Sequence, residues 1–335
     1  METLLNVKNL SIGINRFGKL LSSVEDISFE IYGGEILGLV GESGSGKSLT
    51  ALSIPGLLDD NKEVTGGSII FDQRNLLSLS EGEMQKIRGK EISMIFQEPF
   101  SSLNPLMRVG DQIAETLELH GEKNRAALKC RLGELMERLK LPEPEKLAKA
   151  YPHQLSGGMC QRVMIALAVI CRPRLLIADE PTTALDHNTQ DEIISLLKEI
   201  NRDFGTSVLF ISHDLSLVKK LCSRVLVMYS GRLLEEGESG ELFSNPAHEY
   251  TRSLLASIPQ GGKRGKALFT IPGRIPSLEE GRPSGCPFHP RCAKSSPKCM
   301  EEFPEEIIIS SKHRTRCLCA SVPRIEDSMR EELYE

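Results

Sequence analysis

The sequence has 335 residues and a formal net charge of -5: room for two units and a large core, without the basic excess of a general nucleic-acid binder. No run approaches the roughly 18 to 20 consecutive apolar residues of a membrane-spanning helix, and Met1-Glu2-Thr3 opens no basic-then-apolar leader, so the chain is expected in the cytoplasm. Residues 4–40 alternate apolar and polar positions, as in Val24-Glu25-Asp26-Ile27-Ser28-Phe29-Glu30-Ile31, which predicts half-buried antiparallel strands. Ile36-Leu37-Gly38-Leu39-Val40 is instead continuously apolar and runs into a glycine-rich loop, the pattern of a strand covered on both faces in a parallel sheet. From Pro99 to about Pro152 a helical insertion is expected, with Leu128, Leu132, Leu135, Met136 and Leu139 at amphipathic spacing. Leu175-Leu176-Ile177-Ala178 and Val208-Leu209-Phe210-Ile211 each follow a helical segment and complete a βα-alternating α/β core. After about residue 244 Pro, Gly and Cys become frequent. Pro259-Gln260-Gly261-Gly262-Lys263 has linker composition, and a small appended C-terminal domain is expected there.

Gly41-Glu42-Ser43-Gly44-Ser45-Gly46-Lys47-Ser48 fits the phosphate-loop spacing, between a buried strand and a helical start at Ser48 to Leu52. Such a loop turns backbone N–H groups toward phosphate oxygens at a helix N-terminus. Lys47 is then expected to reach the β- and γ-phosphates of ATP, and the Ser48 hydroxyl to ligate Mg²⁺. Leu175-Leu176-Ile177-Ala178-Asp179-Glu180 is an apolar strand ending in two carboxylates. Because successive strand residues point to opposite sides, Asp179 is assigned to the Mg²⁺ shell and Glu180 to polarising the attacking water as general base. His213, at the end of the next apolar strand, can donate to the γ-phosphate or orient that water.

Leu155-Ser156-Gly157-Gly158-Met159-Cys160-Gln161-Arg162 opens a long apolar helix, Val163 to Ile170. Here the sequence resembles the ABC transporter ATPase family, whose signature has this Leu-Ser-Gly-Gly-x-x-Gln-Arg form. The resemblance implies an ATPase cassette over residues 1–244, with a P-loop RecA-like core, an antiparallel β subdomain and a helical subdomain at about 99–170. It assigns Gln97 to the Q-loop, touching Mg²⁺ and the attacking water, Thr183-Ala184-Leu185-Asp186 to the D-loop, and His213 to the switch histidine. It also implies that Ser156, Gly157 and Gly158 face the γ-phosphate held by a second cassette, with Asp186 counted among the nucleotide-binding residues, so that ATP glues a dimer. Where relatives stack an aromatic on adenine, Ile14 stands here, with Phe17 nearby.

The C-terminal segment, residues 245–335, narrows the resemblance to the oligopeptide and dipeptide importer branch. Asn245-Pro246-Ala247-His248-Glu249-Tyr250-Thr251-Arg252-Ser253-Leu254-Leu255, Ile271-Pro272-Gly273-Arg274-Ile275-Pro276-Ser277-Leu278 and Gly285-Cys286-Pro287-Phe288-His289-Pro290-Arg291-Cys292 carry it. That branch implies a second, non-identical ATPase as partner, with a homodimer open to the isolated chain. It also implies two transmembrane permease subunits, an external solute-binding protein served indirectly, and a peripheral place on the cytoplasmic face of the membrane. Closely related machinery imports nickel, glutathione or other small solutes.

Of the nine cysteines, Cys130, Cys160, Cys171 and Cys222 are scattered through helix-like or strand-like text and read as inert hydrophobes, while Cys286, Cys292, Cys299, Cys317 and Cys319 crowd the tail. In a reducing compartment such clustering favours metal over disulfide. Cys286, Cys292, Cys299 and Cys317 lack the tight pairs of structural zinc sites, so a [4Fe-4S] cluster is expected, with zinc as the alternative. Cys319 is the spare, because Cys317 matches the branch's His-Arg-x-x-Cys ending. The rival reading is a soluble ABC ATPase with a zinc-dependent nucleic-acid tail built on Arg291, Lys294, Lys298, Lys312, Arg314 and Arg316. Only Phe288 and Phe303 offer stacking partners there, so no nucleic-acid partner is expected.

Overall fold

The computed structural model describes residues 2–122, 124–183, 185–258 and 269–320. The expected linker at 259–263 and Ala184 of the expected D-loop therefore lie outside the described residues. The alternating N-terminal sequence folds as two long antiparallel strands, β1 (Thr3–Arg16) and β2 (Lys19–Tyr32), which turn Leu5, Val7, Leu10, Ile12, Val24, Ile27, Phe29 and Ile31 inward. β3 (Ile36–Val40) is buried at every residue. It splits its side chains between two cores: Ile36 and Val40 go to one, Leu37 and Leu39 to the other. Period-two alternation thus serves two apolar layers, which is why the strand reads as continuously hydrophobic.

β4 (Lys62–Phe71) and β5 (Arg74–Asn75) complete a four-stranded antiparallel sheet in the order β2-β1-β4-β5. The larger sheet is built from β6 (Ile92–Ile95), β7 (Leu175–Asp179), β8 (Ser207–Ser212), β9 (Arg224–Tyr229), β10 (Arg232–Glu238), β11 (Ile307–Ser310) and β12 (His313–Thr315) together with β3. Its order is β11-β12-β10-β9-β3-β8-β7-β6, parallel from β9 to β6 and antiparallel beyond. β3, β7 and β8 end side by side, and their C-terminal ends are where an open α/β sheet presents its ligand crevice.

The helical insertion contains Val109–Leu119, Arg125–Arg138 and Gly157–Val169. Leu128, Leu135, Met136 and Leu139 are buried as their spacing predicts. Residues 99–108 are turns rather than the expected helix, because Pro99 and Pro105 remove backbone donors. Asn104 bonds to the buried Gln112 instead, whose Oε1 accepts from Asn104 N at 2.9 Å.

The separate cysteine-rich C-terminal domain expected from the sequence is not what the fold contains. β12 pairs with β10, placing Thr315 opposite Glu235 and His313 opposite Gly237, so the tail extends the cassette's own sheet. Cys286, Phe288 and Cys299 belong to the same core as Tyr229 and Tyr250. The tail has too little apolar surface for a core of its own and shares the existing one. Among the described residues no helix is long and apolar enough to cross a membrane.

Candidate active site

β3 delivers the chain into the loop Gly41–Ser48, and the helix Lys47–Ser53 follows. A Cβ at Gly41 would stand 2.1 Å from the Met228 carbonyl oxygen, so only glycine lets the loop turn against β9. Lys47 is buried, and its ammonium donates to the carbonyls of Gly41 at 2.8 Å and Glu42 at 3.0 Å. Burial pulls its pKa below the ordinary lysine value, against the opposing charges of Glu180, Asp179 and Glu42.

Asp179 is the buried last residue of β7, and its carboxylate accepts from the Ser48 hydroxyl at 3.2 Å. Burial raises its pKa, opposed by the Ser48 hydrogen bond and the Lys47 charge. Glu180 sits just past the strand at φ 47°, a left-handed conformation that costs a non-glycine residue strain. That turn aims its carboxylate at three groups. Gln97 Nε2 donates to Glu180 Oε2 at 3.2 Å, Thr183 Oγ1 donates at 3.0 Å, and His213 Nδ1 lies 3.2 Å away. Residues from three separate chain segments, around 97, 180–183 and 213, thus meet at one carboxylate next to the phosphate loop.

Glu42, Ser43, Gly44, Gly46, Lys47, Ser48, Gln97, Glu180, Thr183 and His213 line one open cleft of about 910 Å³. Ile14 lies on the same cleft, whereas Phe17, 93% exposed at the tip of the β1–β2 hairpin, does not. Ser45 is buried beneath the loop, and its carbonyl accepts from Gly231 N at 2.8 Å. Ser156, Gly157, Gly158 and Asp186 do not line the cleft of their own chain. Ser156 caps Gly157–Val169 by accepting from Met159 N at 3.3 Å. Asp186 caps His187–Phe204, accepting from Asn188 N and Thr189 N, each at 3.1 Å. The hydroxyl of Thr189 is the first cause that holds the Asp186 carboxyl below its usual range.

The sequence reading gave the tail no part in the nucleotide cleft, yet Ile275, Pro276, Ser277, Leu278, Gly281 and Arg282 form one of its walls. A second connection runs behind the phosphate loop. Tyr250 Oη accepts from Glu42 N at 2.8 Å, and the Arg291 guanidinium holds the Glu42 carboxylate at 2.6 and 3.0 Å. Tyr250 and Phe288 pack on Tyr229, and Arg291 also donates to Tyr229 Oη at 3.3 Å. Pro290-Arg291-Cys292 belongs to the text that carries the branch resemblance, but nothing local connects it to residue 42.

Cys286, Cys299 and Cys317 are buried, with Cys292 and Cys319 half-buried, and all are free thiols. Cys286 N donates to Cys299 O at 2.9 Å, and His248 Nε2 lies 3.8 Å from Cys286 Sγ. Burial first, then the neighbouring Cys317, Cys299 and Cys292, pushes the Cys286 thiol up to about 12. Cys299 alone among the five lies below the ordinary thiol value: burial opposes this, but hydrogen bonds from Ser296 and Cys319 outweigh it. Among the described residues no group of three or more His, Cys, Asp or Glu side chains is placed to hold a metal ion. The expected zinc or iron-sulfur site is therefore not formed as a coordination shell among the described residues.

Residues 24–183 match the family model for the ABC transporter, and residues 234–299 that for the oligopeptide/dipeptide transporter C-terminal region. The chain is 47% identical over 305 residues to the oligopeptide transport ATP-binding protein OppD of Escherichia coli (strain K12), which spans 91% of this chain and 90% of that one. It is 43% identical over 318 residues to the dipeptide transport ATP-binding protein DppD of Bacillus subtilis (strain 168), with 95% of each covered. A solved ATP-binding cassette, dimeric in a post-hydrolysis state with ADP and Pi, superposes with a TM-score of 0.64 at 29% identity, covering 70% of this chain and 98% of that one. The chain therefore belongs to the ABC transporter ATP-binding proteins, in the group that contains the oligopeptide and dipeptide transport ATP-binding proteins.

Proposed function

We propose that this chain is the ATP-hydrolysing subunit that powers import of dipeptides or oligopeptides. ATP hydrolysis is the activity of its family. The peptide cargo rests on the relatives' names and on the C-terminal match. One observation carries the chemistry: Lys47, Ser48, Gln97, Glu180 and His213 line a single cleft, with Asp179 bonded to Ser48 at its base. Lys47 is assigned to the phosphates. Ser48 and Asp179, with Gln97, would hold Mg²⁺, which supplies charge neutralisation on the phosphate oxygens. Glu180 takes a proton from the attacking water, and His213 and Gln97 hold that carboxylate in position. We expect Glu180→Gln to bind ATP but lose turnover roughly a hundredfold or more, and Lys47→Ala to lose activity with the fold intact. Normal turnover by Glu180→Gln would assign the base to another residue.

In this reading two cassettes, this chain and a homologous one, close on ATP beneath two permeases at the cytoplasmic face of the membrane, served by an external binding protein. Nickel, glutathione or another small solute is the alternative cargo, which solute-stimulated ATPase assays of the reconstituted transporter distinguish. The nucleic-acid alternative is disfavoured because four of the six basic tail residues are ion-paired within the chain. Arg291 pairs with Glu42, Lys294 with Glu249, Lys312 with Glu238 and Arg314 with Glu236.

We further infer a division at residues 1–244 and 245–335 as functional segments, the second holding a [4Fe-4S] cluster on Cys286, Cys292, Cys299 and Cys317. The chemistry of the donor set supports it, since four thiolates suit such a cluster and three of these thiols are buried with Cys292 half-buried. Anaerobically purified protein should be brown, carry about four irons per chain and lose both on Cys292→Ser. One stoichiometric zinc in colourless protein would instead favour zinc.

A further inference from the structure

We propose that the C-terminal strap Ile275–Arg282 forms, with Ile14, the wall against which the purine base of bound ATP lies. The proposal rests on the reading of the cleft as the ATP site and adds a base-binding subsite to it.

The phosphate loop fixes one end of the ligand. A nucleotide whose phosphates lie on Gly44–Ser48 must extend its base along the cleft, away from Glu180 and His213. The cleft residues outside the phosphate loop and the catalytic group are Leu49 just after the loop, Ile14, Ser22 and Ser23 on the β1–β2 side, Ser230, and the strap. Among the described residues lining the cleft there is no Phe, Tyr or Trp. Phe17, in the β1–β2 turn, points its ring to solvent with Arg16 over it. A purine needs apolar cover on its faces. Ile14, Ile275, Pro276 and Leu278 are half-buried apolar side chains on the cleft, and they supply that cover by dispersion and burial rather than by ring stacking.

The strap is held in place from both sides. Arg282 forms an ion pair with Glu25 of β2 and donates from Nε to the Ser230 carbonyl at 2.6 Å. Arg16, at the end of β1, pairs with Glu279. Glu280 accepts from Ser277 N within the strap at 2.8 Å and from the Arg274 guanidinium just before it at 2.5 Å. The fit is close: a Cβ at Gly231 would lie 2.1 Å from the Ser23 carbonyl oxygen and 2.5 Å from Arg282. A pre-positioned wall binds a ligand without first losing loop entropy. Arg282 is occupied by Glu25 and Ser230, so it acts as the strap's anchor.

The test compares two ligands on the purified full chain by calorimetry: Mg-ATP, which has a base, and Mg-tripolyphosphate, which has none. Ile275→Ala/Leu278→Ala should weaken ATP binding roughly tenfold and leave tripolyphosphate affinity unchanged, and that unchanged affinity also reports an intact fold. Ile14→Ala should act in the same direction, and Phe17→Ala should change neither ligand. The proposal is overturned if Phe17→Ala weakens ATP while Ile275→Ala/Leu278→Ala binds it normally. It is equally overturned if the double variant loses both ligands in parallel, which would make the strap a support for the phosphate loop. A wild-type chain that binds neither ligand would overturn the ATP reading itself.

Discussion

Glu235 is a carboxylate buried at the seam between cassette and tail, and it stays there because each of its oxygens has a donor. Ala247 N donates to it at 2.6 Å, His248 N at 3.0 Å, and His313 Nε2 lies 2.7 Å away. Burial disfavours the His313 imidazolium, but Glu235 and Glu241 outweigh it and the His313 pKa is raised. The sign follows from linkage. A group that binds its proton more tightly when folded contributes stability that is fully present below the unfolded histidine value of about 6.5 and is lost as pH rises through the folded value. We therefore expect His313→Gln to be destabilised relative to wild type most strongly below about pH 6.5, with the gap narrowing as pH rises through the raised folded value. Urea unfolding at a series of pH values measures it, and a gap that widens with pH would contradict the ion pair.

At the scale of elements, the cysteine loop and the phosphate loop share one side chain. The Arg291 side chain is 5% exposed and grips Glu42 with a two-pronged guanidinium, while Glu42 lies within the nucleotide cleft. Removing the guanidinium leaves a carboxylate unpaired beside the place where triphosphate binds. We expect Arg291→Ala to cost roughly 2 kcal/mol of stability, the range of a charged hydrogen bond, and to weaken ATP binding by repulsion. Adding Glu42→Gln should recover much of the ATP affinity, because it removes the stranded charge. A double variant that binds ATP no better than Arg291→Ala would mean that the arginine acts through packing on Phe288 and Tyr229. Arg291→Lys should rescue only partly, since an ammonium cannot match the fork.

These contacts mark where the sequence stopped being readable. β3, β7 and β8 were legible because strands covered on both faces must be apolar throughout, and the phosphate loop because its glycines and Lys47 have fixed spacing. The clustering of Glu180 with Gln97 and His213 was legible only through resemblance, because the left-handed turn at Glu180 has no local sequence signal. The strap and Arg291 were not legible as parts of the site. Their partners, Glu25 and Glu42, lie 257 and 249 residues away, and an ion pair leaves no periodicity behind. The same holds for β12, whose three residues are too few to read as a strand.

At the scale of the whole molecule, the proposed site has two halves that lie apart within one chain. Lys47, Ser48 and Glu180 line one cleft, while Ser156, Gly157 and Gly158 start a helix that is not part of it. The 13-residue helix Gly157–Val169 begins with Ser156 as cap, so its first N–H groups are directed outward, a ready partner for phosphate supplied by another copy. In the dimer proposed above, a two-fold arrangement would place each signature against the other subunit's phosphate loop and make two composite sites. This arrangement predicts complementation. Lys47→Ala spoils its own phosphate loop and keeps its signature; Ser156→Arg spoils its signature and keeps its phosphate loop. Each variant alone should be inactive, but a mixed dimer regains one intact site. With random pairing half the dimers are mixed and half their sites work, so an equimolar mixture should reach about a quarter of wild-type turnover at equal total chain. The measurement is steady-state ATPase at concentrations where the wild-type chain dimerises, with mixed dimers verified by differential tags. Mixed dimers that form and stay inactive would show that the signature does not act across the interface.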